Sequence, residues 1–175
     1  MSHIVREEPW GVVDLDANRG HVFVRQDWQY TWNNSSDVPP WTRGEEDAFH
    51  RALDRLVWIH WSFRTRFEVR ATNNAGAERI AGFAGRGLTV SFDVRRVRIE
   101  PQWNFYVAAH EFGHALGYGY SRGDGEEYEP WNRYYDDLKS VMNIGRQVRP
   151  RHVRLIAETL ELMVPGTRFT ATVVR

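Results

Sequence analysis

One short segment of the chain has the residue types of a hydrolytic metal centre. His110, Glu111 and His114 follow the spacing H-E-x-x-H inside the stretch 103–116, whose pattern predicts a helix. Histidines four residues apart lie on one helical face, so both imidazoles can reach one zinc ion. Glu111 lies beside them and can take a proton from metal-bound water. The competing interpretation is a helix that carries two ordinary surface histidines.

The residues around this motif resemble a known family. The run from His110 to Gly117 reads HEFGHALG. Taken from Ala108, it is similar to the active-site helix of the metzincin zinc endopeptidases, and its sequence most resembles that of the matrix metalloproteinases. In that family the helix stops at a glycine, here Gly117, because glycine readily takes the positive φ that such a sharp turn requires. Downstream, residues 140–143 resemble the family's Met-turn, whose methionine, here Met142, lies beneath the zinc. On its own, Met142 would be an ordinary flexible core residue.

The resemblance implies a fold, an activity and a cofactor. The fold would be α+β, a metzincin-like zincin catalytic domain over residues 20–175, with one twisted mixed sheet, an active-site helix, a backing helix and a C-terminal helix. Residues 1–19 would be an extension with no assigned counterpart. The implied activity is that of an endopeptidase with one catalytic Zn²⁺ and Glu111 as base, whose peptide or protein substrate lies extended along Leu88–Val94 as an edge strand. The alternative is an inactive binding protein that keeps the cleft.

The chain departs from the family pattern at the third metal ligand. The family signature continues with a histidine three residues after the glycine, and Tyr120 holds that position. A phenol has an ordinary pKa of about 10, so it coordinates at neutral pH only if the metal displaces its proton. Three interpretations stay open: Tyr120 is the ligand, the zinc site is lost, or a nearby acid takes its place, such as Asp124, Glu126 or Glu127.

The composition excludes several classes of protein. The 23 Lys and Arg balance the 23 Asp and Glu, so no global field would attract nucleic acid or an anionic membrane. There is no cysteine, which excludes disulfides, Cys-ligated zinc and thiol nucleophiles. The sequence has no transmembrane span and no recognisable signal peptide, so we expect a cytoplasmic protein or one exported by a non-classical route. We also expect a monomer.

Further metal sites are not expected. The stretch 73–87 contains neither His nor Asp, so we predict no second zinc there, and residues 73–76 are predicted to turn the chain. An acidic run follows the motif, but its spacing does not match an EF-hand loop, so calcium is not expected. We predict a solvated loop near the cleft for this acidic run, which consists of Asp124, Glu126, Glu127, Glu129, Asp136 and Asp137.

The remaining patterns outline the elements that must position the motif. Thr42 and Glu45 have capping-box spacing and predict the start of a helix, and Pro150 opens a last helix. Trp58 and Trp61 lie at helical spacing and are predicted to be core residues. Alternating apolar residues predict strands within 20–32, 63–71, 88–94 and 169–174.

Overall fold

A six-stranded mixed sheet organises the described part of the chain. The computed structural model describes residues 3–30, 39–97, 108–116, 118 and 127–174, and for residues 29, 97 and 108–111 it describes the backbone alone. The sheet has the order β1-β2-β3-β5-β4-β6, in which β3 and β5 run parallel and the other neighbours run antiparallel. The strands are β1 (His3–Glu8), β2 (Gly11–Asp16), β3 (His21–Gln29), β4 (Thr65–Ala71), β5 (Leu88–Val97) and β6 (Thr167–Val173).

Helices pack against this sheet. Within the described residues these are α1 (Arg43–Trp61), α2 (Asn74–Ile80), α3 (Ala108–Ala115) and α4 (Arg154–Met163), the last preceded by a 3₁₀ turn, Pro150–Val153. Helix α4 contacts β1, β2 and β6, which lie toward opposite edges of the sheet, so the sheet curls around it. The predicted α+β class is therefore confirmed.

Local sequence signals explain where several elements begin and which face they bury. Helix α1 starts with the predicted capping box, because Thr42 Oγ1 accepts from Glu45 N–H and the Glu45 carboxylate accepts from Thr42 N–H. In β4 the side chains of Phe67 and Val69 are buried while the intervening Arg66, Glu68 and Arg70 are exposed, as alternation requires.

Three aromatic rings join α1 and α3 to the sheet. Trp61 of α1, Phe92 of β5 and Phe112 of α3 are each fully buried, and each pair of rings meets edge to face. The centroid of Phe112 lies 5.2 Å from that of Trp61 and 5.4 Å from that of Phe92. Burying such a ring stabilises a fold by roughly 1.5–3 kcal/mol. The same triad fixes the position of α3 over the sheet.

Two of the smaller predictions are wrong, and the N-terminal residues belong to the sheet. Residues 73–76 do not simply turn the chain, because Asn73 Oδ1 accepts from Gly76 N–H at 2.8 Å and so caps the start of α2. Trp61 is core as predicted, but Trp58 is 45% exposed, since the buried stripe of α1 passes through Leu53, Val57 and Trp61. Residues 3–16, to which the sequence assigned no counterpart, form β1 and β2 and place Val13 and Leu15 in the core.

Strand β5 is an interior strand, so the prediction that Leu88–Val94 offers an edge for substrate is wrong. One side of β5 pairs with β3 from Thr89 to Val97. The other side pairs with β4 at Leu88 and Thr89. Farther along that side, backbone groups of β5 bind groups in or just after α1: Val90 O accepts from Phe63 N–H, Phe92 N–H donates to Ser62 Oγ, and Val94 N–H donates to Asp54 Oδ1, at 2.7, 2.9 and 3.1 Å.

Candidate metal centre

The H-E-x-x-H segment lies in α3, as its spacing predicts. The helix runs from Ala108 to Ala115 and contains His110, Glu111 and His114. Because both histidines belong to one regular helix, they stand one turn apart on a common face. The side chains of His110 and Glu111 lie outside the described residues, so the geometry of the site is built from His114 and its neighbours.

The C-terminal end of α3 is bonded to the sheet and to the chain that follows it. The side-chain amide of Gln26 on β3 donates to the Ala115 carbonyl at 2.7 Å and to the Trp10 carbonyl at 2.9 Å. Tyr118 N–H donates to the Gly113 carbonyl at 3.1 Å. A hydrogen bond between residues five apart in the chain is typical of a helix that ends in a Schellman motif. These bonds satisfy carbonyls that a helix end leaves without intrahelical partners.

The imidazole of His114 is oriented by a backbone carbonyl. His114 Nδ1 lies 3.1 Å from the Tyr118 carbonyl oxygen, and because that oxygen can only accept, Nδ1 carries the hydrogen. In the neutral ring, Nε2 then has the lone pair that a metal requires. Zinc-ligating histidines commonly donate their other ring N–H to a carbonyl or carboxylate, so the described side of this site fits a zinc ion.

A turn beneath α3 brings Met142 against the middle of the metal motif. Met142 is fully buried, and a Cβ atom added to Gly113 would lie 2.2 Å from its sulfur. Only a glycine at 113 lets the helix approach so closely. Within the turn, Ser140 O accepts from Asn143 N–H and from Gly145 N–H, at 3.1 and 2.9 Å. Met142 therefore packs against α3 at Gly113, between His110 and His114 in the chain.

Glu127 lies in a buried network rather than in a solvated loop, so that prediction is wrong for this residue. It is fully buried, and Arg151 donates Nε–H to its Oε1 at 2.7 Å and Nη2–H to its Oε2 at 2.8 Å. The Tyr118 hydroxyl donates to the same Oε1 at 2.6 Å. Because both carboxylate oxygens are bound by Arg151, Glu127 is not placed to act as the third metal ligand.

Two further residues complete the network around Glu127. His152 is buried, and its Nε2 lies 3.2 Å from Glu127 Oε1, while its Nδ1 accepts from Arg149 N–H at 3.1 Å. Asp137 binds both Arg149 and Arg151, the latter through Nη2 at 2.7 Å. Asp137 is therefore also part of an ion-pair cluster and not of a solvated acidic surface.

The network strongly shifts the pKa values of its members. Burial alone would raise the pKa of Glu127, but hydrogen bonds from Arg151, His152, Ser140 and Tyr118 outweigh it and hold the pKa well below its usual range. Burial, together with the bond to Glu127, raises the pKa of the Tyr118 phenol. Burial also lowers the pKa of His152, despite the neighbouring carboxylate. At neutral pH the cluster thus holds an ionised Glu127, a neutral His152 and a protonated Tyr118.

Several predicted site residues lie outside the described part of the chain. These are Gly117, Tyr120, Asp124 and Glu126. Within residues 3–30, 39–97, 108–116, 118 and 127–174, the side chains form no group of three or more His, Asp or Glu that could hold a metal. The side chains of His110 and Glu111 do not belong to this set.

Sequence reasoning missed the residues that support the motif. Gln26, Tyr118, Arg151 and His152 carry no motif, and their roles come from contacts between segments distant in the chain. His152 has no ligand spacing to the other histidines, so its place in the sequence does not predict a partner.

Comparison with known proteins adds no assignment to this geometry. No protein-family model, curated protein or solved structure matches the chain. Among the helices of the described ranges, none has the length and apolar character needed to span a membrane.

Proposed function

We propose that the chain is a zinc-dependent endopeptidase whose metal is held by His110 and His114. The observation that carries the proposal is the placement of the H-E-x-x-H residues on one regular helix, with the His114 ring oriented by the Tyr118 carbonyl. Met142 packed against Gly113 gives the helix a fixed support directly beneath the motif. A surface helix with two ordinary histidines needs neither feature.

The chain's own residues have distinct roles in this proposal. His110 and His114 bind the metal, and Tyr118 holds the His114 ring in the required tautomer. When bound, zinc supplies Lewis-acid chemistry that polarises the scissile carbonyl and makes water a nucleophile near neutral pH. Glu111 accepts the proton of the attacking water and later donates it to the leaving amine. We assign no strand to the substrate, because β5 is paired on both sides.

Substitution Glu111→Gln tests the assignment of the base. It removes the proton acceptor and leaves both histidines in place, so we expect bound zinc to persist while turnover of a peptide substrate falls by roughly 10²–10⁴-fold. Zinc content and hydrolysis of a casein or quenched-peptide substrate are measured on the same preparations. Unchanged turnover would remove Glu111 from the mechanism. A parent that binds zinc yet cleaves none of the peptides tested would favour the inactive binding protein.

Tyr120 is proposed as the third protein ligand, on its position alone. Tyr120→Phe keeps the ring and deletes the oxygen, so we expect zinc binding to weaken, and Tyr120→His should restore it because imidazole is a good zinc ligand. Competition with a chromophoric chelator measures the zinc dissociation constants. If the Tyr120→Phe protein binds zinc as tightly as the parent, the third ligand is water or an acid such as Asp124 or Glu126.

A further inference from the structure

Tyr118 links the imidazole of His114 to a buried carboxylate. Its carbonyl accepts from His114 Nδ1 at 3.1 Å, and its hydroxyl donates to Glu127 Oε1 at 2.6 Å. Its own N–H is bonded to the Gly113 carbonyl. Backbone and side chain of Tyr118 are therefore each held at a defined point, and the direction of its carbonyl depends on both.

Glu127 is in turn fixed to the turn beneath α3. Its N–H donates to the Met142 carbonyl at 3.2 Å, and its own carbonyl accepts from Asn143 Nδ2 at 3.1 Å. Arg151 holds its carboxylate in bidentate fashion, and His152 packs edge to face on the Tyr118 ring with centroids 4.9 Å apart. One residue thus contacts both the chain after α3 and the turn that supports α3 from below.

We propose that Tyr118 and Glu127 are positioning residues of the metal centre, acting on His114 through the Tyr118 carbonyl. The inference rests on the zinc site proposed above. Glu127 fixes the phenol, the phenol fixes the direction of the carbonyl, and the carbonyl selects the ring tautomer with hydrogen on Nδ1. Partners of this kind orient a metal-ligating histidine, and their loss typically weakens metal affinity by 10–100-fold.

Tyr118→Phe is the informative variant, because it deletes one hydroxyl and keeps the ring against His152. Glu127 retains its bonds from Arg151 and His152, so the variant leaves no buried carboxylate without partners. Tyr30→Phe is a matched control, since the Tyr30 hydroxyl is also hydrogen-bonded to a side chain, His50 Nδ1 at 2.7 Å, but that side chain belongs to α1 and not to the network around Glu127. Both variants lose one phenol oxygen from a hydrogen bond to a neighbouring side chain.

The first readout is the tautomer of His114 in the zinc-free protein. Two-dimensional ¹⁵N spectra at pH 8 distinguish hydrogen on Nδ1 from hydrogen on Nε2. We expect the Nδ1–H form in the parent and in Tyr30→Phe, and a mixture of the two forms in Tyr118→Phe. If Tyr118→Phe keeps the parent tautomer, the inference is overturned. Should that variant fail to fold, the spectrum of the parent alone decides, since the Nε2–H form of His114 in the parent would overturn the inference.

The second readout is the dissociation constant for zinc, with Co²⁺ absorption as a check on geometry. We expect Tyr118→Phe to bind zinc about tenfold more weakly than the parent, or weaker still, and Tyr30→Phe to match the parent. Equal weakening in both variants would show a general loss of stability and would contradict positioning. A parent that binds no zinc would refute the proposed function, while the tautomer would still decide the inference about Tyr118.

Discussion

At the scale of single residues, Gly113 and Met142 form a close packing contact at the proposed site. The position lies inside a helix, where replacing glycine by alanine ordinarily stabilises by up to about 1 kcal/mol. Here the added Cβ would meet the Met142 sulfur at 2.2 Å and the Trp61 ring at 3.2 Å, and all three residues are buried. Helix propensity and packing therefore act in opposite directions at this position.

We predict that Gly113→Ala destabilises the protein by about 1–3 kcal/mol, because the buried sulfur must move to admit a methyl group. Gly82→Ala is the control, since a Cβ there has no other atom within 4 Å. Urea unfolding of the two variants and the parent gives the comparison. A Gly113→Ala protein as stable as the parent would mean that α3 and the Met142 turn are not packed as described.

At the scale of elements, the cluster around Glu127 joins three segments near the proposed site. It bonds Tyr118, which follows α3, to the Met142 turn and to the 3₁₀ turn at Arg151 and His152. Removing one member of a buried ion pair costs several kcal/mol, because the remaining charge loses its partner. The relative placement of these three segments therefore depends on one ionised carboxylate.

Glu127→Gln should destabilise the protein at pH 7 by up to about 3 kcal/mol, because Arg151 keeps Asp137 but loses the buried carboxylate that it binds with two hydrogen bonds. Glu158→Gln provides the control, since Glu158 pairs with Arg154 on the surface with both side chains 49% exposed, and such pairs contribute about 0–1 kcal/mol. Chemical unfolding at pH 7 measures both differences. Similar losses in the two variants would contradict the buried network.

The same cluster predicts a loss of stability in acid. The pKa of Glu127 is lower in the folded chain than in the unfolded chain, so its contribution is complete above the ordinary glutamate pKa of about 4.3 and is lost as the pH falls below it. The pKa of His152 is also lowered by folding, so the unfolded chain binds a proton first and stability begins to fall below about pH 6.5. Unfolding free energies at pH 7, 5 and 3.5 should decrease in that order. A constant value across this range would contradict both shifts.

At the scale of the whole molecule, the sequence predicts the parts better than their arrangement. The capping box at Thr42, the alternation in β4 and the helix containing His114 all follow from neighbours a few residues apart, and the structure has each of them. The interior position of β5 and the buried state of Glu127 depend on segments brought together by folding, which local patterns do not encode.

The N-terminal strands illustrate the same limit. Residues 3–16 have modest alternation and no motif, yet β1 and β2 extend the sheet beside β3 and contact α4. Val13 and Leu15 enter the core because β2 pairs in register with Val24 and Val22. A register of this kind is set by the partner strand, so it becomes visible only in the folded chain.

Zinc content of untagged protein is the measurement on which the proposed function depends most. After incubation with zinc and removal of the excess, atomic emission should find about one zinc ion per chain in the parent and in the control His3→Ala, whose histidine lies half-exposed on β1. The variants His110→Ala and His114→Ala should hold almost none, because two remaining ligands rarely retain zinc. Zinc retained in full by either variant, or absent from the parent, would contradict a metal centre on α3.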